Sequence, residues 1–321
     1  MATGIEDRRI DETPVSIIDF ETTGLVAGAD RVIEVSVVRV DPHEPPRLVL
    51  DTLVNPRRPV TATEIHGITD ADVRHAPIFE DVAGELLRVV SGCVLAAYNV
   101  YFDIRFLNFE MANAGVDHEP PHFCLMYMRP LLGLGKKCRL HDACEQHGIK
   151  YTTSHVAAYD ALASGQLFQF YLESLRTLEF RTYGDLIGSR SYKFFDSFRN
   201  DPFLPPSTYG LNRCCRFASR VGRETAAAVS PTPQIDPVRR YWEALKVVLA
   251  DLTISEEELQ SIVTERHRLN LSKEQIRVMH AKAFGSAIAH FSEDQWLDDS
   301  EVMKLRRLHD CLAVLGWAPG Q

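Results

Sequence analysis

Hydrophobic positions in the first 170 residues follow two periodicities. Short apolar runs rich in β-branched residues predict buried strands at 15–20, 32–40, 48–54 and 94–97. Apolar residues three or four positions apart predict helices at 78–90, 103–114, 140–147 and 155–175. Because three strands come first and later elements alternate between strand and helix, the pattern predicts a three-stranded meander within a mixed α/β sheet that helices flank.

The pattern changes after residue 175. Residues 176–235 contain repeated prolines and glycines, which predict a linker with short structured pieces. Residues 236–321 have helical spacing throughout, which predicts an all-α C-terminal module. With a polar tail at 1–13 and an α/β domain at 14–175, these two regions complete the predicted domain organisation.

The composition is that of a globular protein, since 45% of the 321 residues are hydrophobic and 25% are charged. No apolar run approaches the roughly 20 residues that span a bilayer. Residues 1–11 lack the apolar core of a secretory signal, and seven cysteines, an odd number, fit reduced thiols. We therefore expect a cytoplasmic protein that has no membrane partner.

The formal net charge of −9 argues against a protein that coats nucleic acid, because phosphate binding depends on Lys and Arg. The stretch 171–235 is the exception, with 9 basic and 6 acidic side chains. Within it, arginines at spacings of 3, 4 and 3 would share one helical face: Arg213, Arg216, Arg220 and Arg223. This face is either solvated or contacts the phosphates of a nucleic acid.

Acidic side chains stand at the ends of several predicted elements. Asp19 and Glu21 end the first strand on one face, because strand residues two apart point to the same side. Asp103 opens one predicted helix, and Asp160 lies near the start of another, five residues after His155. Singly, an Asp in a first helical turn fits a cap or a dipole partner. Together, the carboxylates and the histidine favour one site for two divalent metal ions with oxygen ligands.

Such a site has a definite chemistry. Two ions about 3.5–4 Å apart hold the attacking and the leaving oxygen of a phosphodiester displacement. A histidine with a pKa of about 6.5 takes a proton from water near neutral pH. The residues therefore predict a phosphodiester hydrolase that uses Mg²⁺ or Mn²⁺, with His155 as the general base.

Three motifs in this order resemble those of the DEDDh (DnaQ-like) 3′–5′ exonuclease family. The motifs are Asp19-x-Glu21-Thr22-Thr23-Gly24-Leu25, Asn99-x-x-x-Asp103 and His155-x-x-x-x-Asp160. Residues 55–56 and 65–69 resemble the corresponding stretch of the proofreading epsilon subunits of bacterial DNA polymerase III. The similarity spans residues 14–175 and implies an RNase H-like fold, in which Asp19, Glu21, Asp103 and Asp160 bind two metal ions.

The resemblance also implies contacts with substrate. They come from the backbone of Thr22, Thr23 and Gly24, from Leu25 against the terminal base, and from His66 and Asn99. Tyr98 stands where many relatives carry His, and this departure bears on substrate preference. The C-terminal part resembles TerB-like helical modules through a repeated Asp…Glu-Leu/Val pattern, while a helical extension used for packing or dimerisation is the alternative.

A second set of metal-ligand types recurs every three residues: Cys138, His141, Cys144 and His147. These residue types suit zinc. However, a row with a constant spacing of three drifts around a helix that has 3.6 residues per turn. We therefore expect Cys144 in the core, both histidines at the surface, and no zinc site.

Three hypotheses about function follow from the sequence. The first is a 3′–5′ exonuclease that releases nucleotides from single-stranded or frayed DNA ends in proofreading, replication or repair. The second is an exoribonuclease with the same active site, because the sequence does not identify a contact with the 2′-hydroxyl that separates RNA from DNA. The third is a catalytically silent scaffold that binds a protein partner through residues 236–321.

Overall fold

The computed structural model describes residues 5–116, 120–151, 156–189, 256–291 and 299–319, and five residues between 237 and 245. A five-stranded sheet lies at its centre, in the order β3-β2-β1-β4-β5. The strands are β1 (Val15–Thr22), β2 (Val32–Val40), β3 (Arg47–Leu53), β4 (Val94–Ala97) and β5 (His122–Cys124). β2 pairs antiparallel with β1 and β3, whereas β4 pairs parallel with β1 and β5. The predicted meander and mixed sheet are confirmed.

Helices surround the sheet and continue after it. They are α1 (Thr63–His66), α2 (Asp70–Val73), α3 (Phe79–Val90), α4 (Val100–Asn113), α5 (Leu125–Leu131), α6 (Leu140–Gln146), α7 (Ala157–Thr177), α8 (Tyr183–Ser189), α9 (Glu256–Arg268), α10 (Lys273–Phe291) and α11 (Asp299–Val314). The predicted helices α3, α4, α6 and α7 agree with the structure to within three residues at each end. β5 was not predicted, because a three-residue strand is too short to carry a periodic signal. The short helix α5, which follows it directly, was not predicted either.

The core explains the position of the helices. Ile17 and Ile18 of β1 are both fully buried, and neighbouring strand residues point to opposite faces, so both faces of the sheet are covered. α7 contacts β1, β2 and β3, while α4 contacts β1, β4 and β5. Since β1 and β4 run parallel, their carboxyl ends meet at one edge of the sheet, and α4 begins at that edge.

Residues on both sides of the predicted domain pack against it. Ile5 and Ile10, assigned to a tail, and Tyr183, assigned to the linker, are buried in the same core as the sheet. The amide of Ile10 donates to the carbonyl of Arg181 at 2.9 Å, which ties the two segments together. Isolated apolar residues among polar ones give no periodicity from which this packing could be predicted, and the boundaries at 13 and 175 stay predictions.

The C-terminal helices α9, α10 and α11 share a hydrophobic cluster whose buried members include Ile262, Ile276, Met279, Leu308 and Leu312. The repeated pattern aligns residues 251–262 with residues 294–305, and within it Ile262 is buried whereas its counterpart Leu305 is half-buried. Residues 251–255 and 294–298 of this pattern lie outside the described residues. The resemblance to TerB-like modules stays a prediction.

The sequence predicts that no segment spans a membrane. Across the ranges that the structure describes, no helix combines the length and the apolar character needed to cross a bilayer.

Candidate active site

Three of the four predicted carboxylates lie together at the edge where β1 ends. Asp19 and Glu21 are on β1, and Asp160 is in the first turn of α7. One oxygen from each lies within 4.8 Å of the other two. Glu21 is only 5% exposed, while Asp19 and Asp160 are partly open to solvent. The arrangement offers several hard oxygen atoms within reach of one cation.

Asp103 adjoins this cluster through the backbone of β1. It lies in the first turn of α4 and is 5% exposed. Its Oδ1 accepts a hydrogen bond of 3.0 Å from the amide of Phe20, which stands between Asp19 and Glu21. The fold thus brings all four acids to one edge of the sheet, although they come from three separate stretches of the chain.

Two residues that sequence reasoning missed hold the start of α7. The Tyr151 hydroxyl donates a 2.6 Å hydrogen bond to Oδ1 of Asp160. Glu34 lies opposite Glu21 in the β1–β2 register, is fully buried, and accepts a 3.1 Å hydrogen bond from the amide of Ala157. A charged residue inside the apolar β2 run was the available signal for Glu34, since such residues are rarely buried without a partner.

The proposed general base cannot be placed by the structure. His155 lies outside the described residues, which resume at Val156 just before α7. The arginines at 213, 216, 220 and 223 also lie outside them. The roles of these five residues stay predictions.

The loop after β1 is organised by Asp30. Its Oδ1 accepts a 3.2 Å hydrogen bond from the Thr23 hydroxyl, and its Oδ2 accepts one of 3.1 Å from the amide of Val26. A Cβ at Gly24 would lie 2.3–2.4 Å from the Asp30 carboxylate, so no side chain fits there. The Thr22 hydroxyl closes the turn by donating to the carbonyl of Gly24 at 2.5 Å.

The ring of His66 makes two hydrogen bonds within the segment 61–68. The imidazole is 1% exposed, its Nδ1 accepts a 3.1 Å hydrogen bond from the amide of Ile68, and its Nε2 lies 3.0 Å from the carbonyl of Thr61. These partners fix a neutral ring with the proton on Nε2. The Thr61 hydroxyl in turn bonds the carbonyl of Thr23. The substrate contact expected of His66 stays a prediction, and its hydrogen bond with Thr61 also supports the loop that holds Thr23.

Asn99 has a buried side-chain amide near the carboxylates' edge of the sheet. Both polar atoms of its amide are buried and have no hydrogen-bond partner within the described part of the chain. Asn99 immediately precedes α4, at the same edge as Asp103. Because an unsatisfied buried amide is costly, this observation fits the predicted substrate contact.

Tyr98 directly follows β4 and precedes Asn99. Its ring is 6% exposed and its hydroxyl donates a 2.7 Å hydrogen bond to the carbonyl of Cys138. Burial raises the pKa of Tyr98 well above its usual value. The residue at this departure from the family pattern therefore anchors the segment around Cys138.

The cysteine and histidine row is divided between the core and the surface, with Cys144 buried and both histidines partly exposed. In the described ranges, the groups of side chains close enough to share an ion are Asp19, Glu21 and Asp160, and His141, Asp142 and Glu145, and neither includes a cysteine. Burial raises the pKa of the Cys144 thiol to about 12, which disfavours the thiolate that zinc requires. Asp142 is also engaged by Arg139.

Comparisons with known proteins cover the α/β domain. Residues 16–168 match the RNase_T exonuclease family. An epsilon-like protein of DNA polymerase III from Rhodobacter capsulatus is 29% identical over 192 residues, which are 58% of this chain and 27% of that protein. A PolC-type DNA polymerase III from Bacillus cereus is 34% identical over 167 residues, which are 50% of this chain and 11% of that protein.

Among solved structures, Escherichia coli Exonuclease I in complex with a dT13 oligonucleotide is 18% identical, with a TM-score of 0.46, over 55% of this chain and 46% of that one. The chain spans about a quarter or less of the length of the two polymerase relatives. The family match, both relatives and the mixed sheet that carries the carboxylates agree with the resemblance in the sequence. Residues 16–168 therefore match an exonuclease domain and resemble the DnaQ-like relatives over the same part of the chain.

Proposed function

We propose that this chain is a metal-dependent 3′–5′ exonuclease that releases nucleotides from DNA ends by hydrolysis of the phosphodiester bond. The observation that carries the proposal is the convergence of Asp19, Glu21 and Asp160 within 4.8 Å, with Asp103 bonded to the strand between the first two. Acidic side chains that only cap helices or lie at the surface are not expected to converge at one edge of a sheet.

The donor set fits divalent cations that prefer oxygen. Like charges at this separation repel one another unless a cation offsets them, and Mg²⁺ or Mn²⁺ takes carboxylate oxygens together with water and phosphate oxygens. Asp19, Glu21, Asp103 and Asp160 would hold two such ions. When bound, the ions supply charge stabilisation for the attacking and leaving oxygens of the phosphodiester.

The remaining residues bind and orient the strand. Asn99 offers an amide whose donor and acceptor are both unused in the described structure. Leu25, which is half-buried, offers an apolar surface to the terminal base, and the turn at residues 22–24 offers backbone groups. His155, five residues before Asp160, accepts a proton from the attacking water.

The polymerase relatives favour DNA as the substrate. Both are named as forms of DNA polymerase III, and the epsilon-like relative aligns with more than half of this chain. A role in proofreading, replication or repair follows from that likeness, with a protein partner contacting residues 236–321. RNA belongs in the same assay, because the matched exonuclease family carries the name RNase_T.

The test is a cleavage assay on DNA and RNA oligonucleotides of matched sequence, single-stranded and duplex, each blocked at either the 3′ or the 5′ end. We expect mononucleotide release from DNA that has a free 3′ end, with Mg²⁺ or Mn²⁺ and not with EDTA. Asp19→Asn, which keeps the size of the side chain, should abolish release. Release from 3′-blocked ends, or undiminished release by Asp19→Asn, would show that the proposal is wrong.

If RNA is degraded faster than DNA, the chain is an exoribonuclease with the same site. If folded protein degrades neither polymer, the result favours the scaffold hypothesis, in which residues 236–321 bind a protein partner.

A further inference from the structure

The C-terminal helices contact the exonuclease domain on one flank of the candidate active site. Ala62 and Ile65 of the domain are buried in the same hydrophobic cluster as Ile262 and Leu312 of the C-terminal helices. Leu25, in the loop after β1, packs against this cluster. The side chain proposed to meet the terminal base is thus already in contact with apolar residues of the chain itself.

The same helices also contact a basic segment on the domain. The Lys137 ammonium lies 2.6 Å from Oε1 of Glu258, and Nη1 of Arg139 lies 2.6 Å from Oε1 of Glu265. Glu258 and Glu265 are seven residues apart on α9, so they share one face of the helix, about 10 Å apart along its axis. Both carboxylates are mostly buried by this contact, with 17% and 12% of the side chains exposed.

The basic segment is connected to the active site by a chain of ring contacts. The Lys137 ammonium lies 4.5 Å from the centre of the Tyr127 ring. That ring contacts Tyr101 edge to face, with their centres 5.5 Å apart. Tyr101 is in the first turn of α4, together with Asp103. The C-terminal helices therefore reach the domain at the loop that carries Leu25 and again at a segment linked to the start of α4.

We propose that Lys137 and Arg139 form a phosphate-binding subsite for the nucleic acid strand, and that Glu258 and Glu265 occupy this subsite when no strand is bound. The proposal rests on the proposed function, because it names how the strand is held beside the same carboxylates. Ammonium and guanidinium groups bind carboxylate and phosphate through the same charge-assisted hydrogen bonds. Without a strand, the acidic face of α9 thus occupies the position proposed for backbone phosphates. The apolar cluster at Leu25 occupies the position proposed for a base.

The charge distribution supports this exchange. The active-site edge gathers carboxylates that repel a polyanion, so a strand needs cations beside it. Lys137 and Arg139 supply two cations in one segment, which ring contacts from Lys137 link to the helix carrying Asp103. Their partners Glu258 and Glu265 are on a separate helical module, while Arg139 also pairs with Asp142 of the domain itself. A strand that offers several phosphates can displace the α9 carboxylates from Lys137 and Arg139, because its phosphates bind together.

The test measures affinity for a fluorescein-labelled single-stranded oligothymidylate by fluorescence anisotropy in EDTA, so that hydrolysis does not interfere. Glu258→Gln with Glu265→Gln removes both competing charges. Because ion pairs that remain partly open to solvent contribute little each, we expect the affinity to rise by roughly 2- to 10-fold. The matched control is Glu256→Gln with Glu274→Gln, two exposed acids whose loss changes the net charge of the chain by the same amount. An equal rise in both double variants, or no rise in the first, would overturn the proposal.

A second variant tests the cations directly. Lys137→Ala with Arg139→Ala, placed in the Glu258→Gln, Glu265→Gln background, should weaken binding and reduce the slope of log affinity against log salt by about 1.4, the value for two phosphates of a single strand. An unchanged slope would contradict the subsite. If this pattern is found while the protein releases no nucleotides with Mg²⁺, the subsite stands and the exonuclease function falls.

Discussion

The exonuclease domain and the C-terminal helices bury their hydrophobic residues in different ways. The domain has a main core that runs through its sheet and includes the segments at 5–12 and 183–189, and a small second cluster around Ile33 and Ile68 also lies within it. The cluster of the C-terminal helices is smaller and includes Ala62 and Ile65 of the domain. The domain is therefore self-contained in its described core, whereas the C-terminal helices obtain part of their burial from the domain. Their docking and their folding are expected to be linked.

The two regions also differ in how they bury polar groups. The domain buries Glu21, Glu34 and Asp103 near one edge of the sheet, where mutual repulsion costs stability. Among the described residues after 235, the buried Tyr241 hydroxyl and Nε2 of His280 lie 3.0 Å apart. Converging buried carboxylates are typical of functional sites, whereas this pair is a local hydrogen bond within a hydrophobic cluster.

After Asp19→Asn, the largest effect should come from the proposed general base. His155→Ala should slow nucleotide release by roughly 10²–10⁴-fold, the usual contribution of general acid–base catalysis, and leave Mn²⁺ binding and thermal unfolding close to those of the wild type. His75→Ala, at an exposed histidine of the same domain, is the control and should have no effect. Single-turnover assays measure the difference. A His155→Ala protein with wild-type rates would mean that another group takes the proton.

Core truncations test whether the two regions unfold separately. Phe168 of α7 and Leu312 of α11 are both buried. Phe168→Ala should cost roughly 3–5 kcal/mol and Leu312→Ala roughly 2–5 kcal/mol, because each leaves a cavity. In urea titrations, Phe168→Ala should reduce hydrolysis and helicity together. Leu312→Ala should reduce helicity at urea concentrations where hydrolysis persists. Parallel loss of both signals in Leu312→Ala would show that the regions unfold as one unit.

The sequence predicted what local periodicity encodes. The strands β1 to β4 and the helices α3, α4, α6 and α7 repeat apolar residues over enough positions to be recognised, and the carboxylates Asp19, Glu21 and Asp160 were predicted from their places at element ends. Ile5, Ile10 and Tyr183 were missed because single apolar residues have no period. The contact of Glu34 with Ala157 joins positions 123 residues apart, and only the folded topology brings them together.

The buried histidine of the C-terminal helices should make their stability depend on pH. Burial lowers the pKa of His280 to about 4, from a usual value of 6.5, with a smaller contribution from Arg266. Between these values the unfolded state binds a proton that the folded state excludes, so stability is lost as the pH falls from 6.5 toward 4. The loss amounts to roughly 3 kcal/mol at most.

Thermal unfolding followed by circular dichroism between pH 7 and pH 4.5 measures this loss. His280→Gln, which keeps a polar group but does not titrate near this pH, should flatten the profile of the helical module. The control is His267→Gln on α9, at an exposed histidine, and it should leave the slope unchanged. An unchanged slope in His280→Gln would assign the pH dependence to other groups.

The smallest effect should come from the hydroxyl that positions Asp160. Tyr151→Phe removes the 2.6 Å hydrogen bond to Oδ1 of Asp160 and leaves the ring in place. Groups that orient a metal ligand typically contribute 10- to 100-fold in metal affinity, so Mn²⁺ should bind about 10-fold more weakly by calorimetry, while the unfolding temperature stays close to that of the wild type. Tyr159→Phe makes the same chemical change next to Asp160, at a hydroxyl that donates to no described carboxylate, and should bind Mn²⁺ normally. Equal Mn²⁺ affinity in both variants would mean that the backbone of α7, held by Glu34, is sufficient to orient Asp160. The geometry of the site would then be set by the contact between β2 and α7 and not by the Tyr151 hydroxyl.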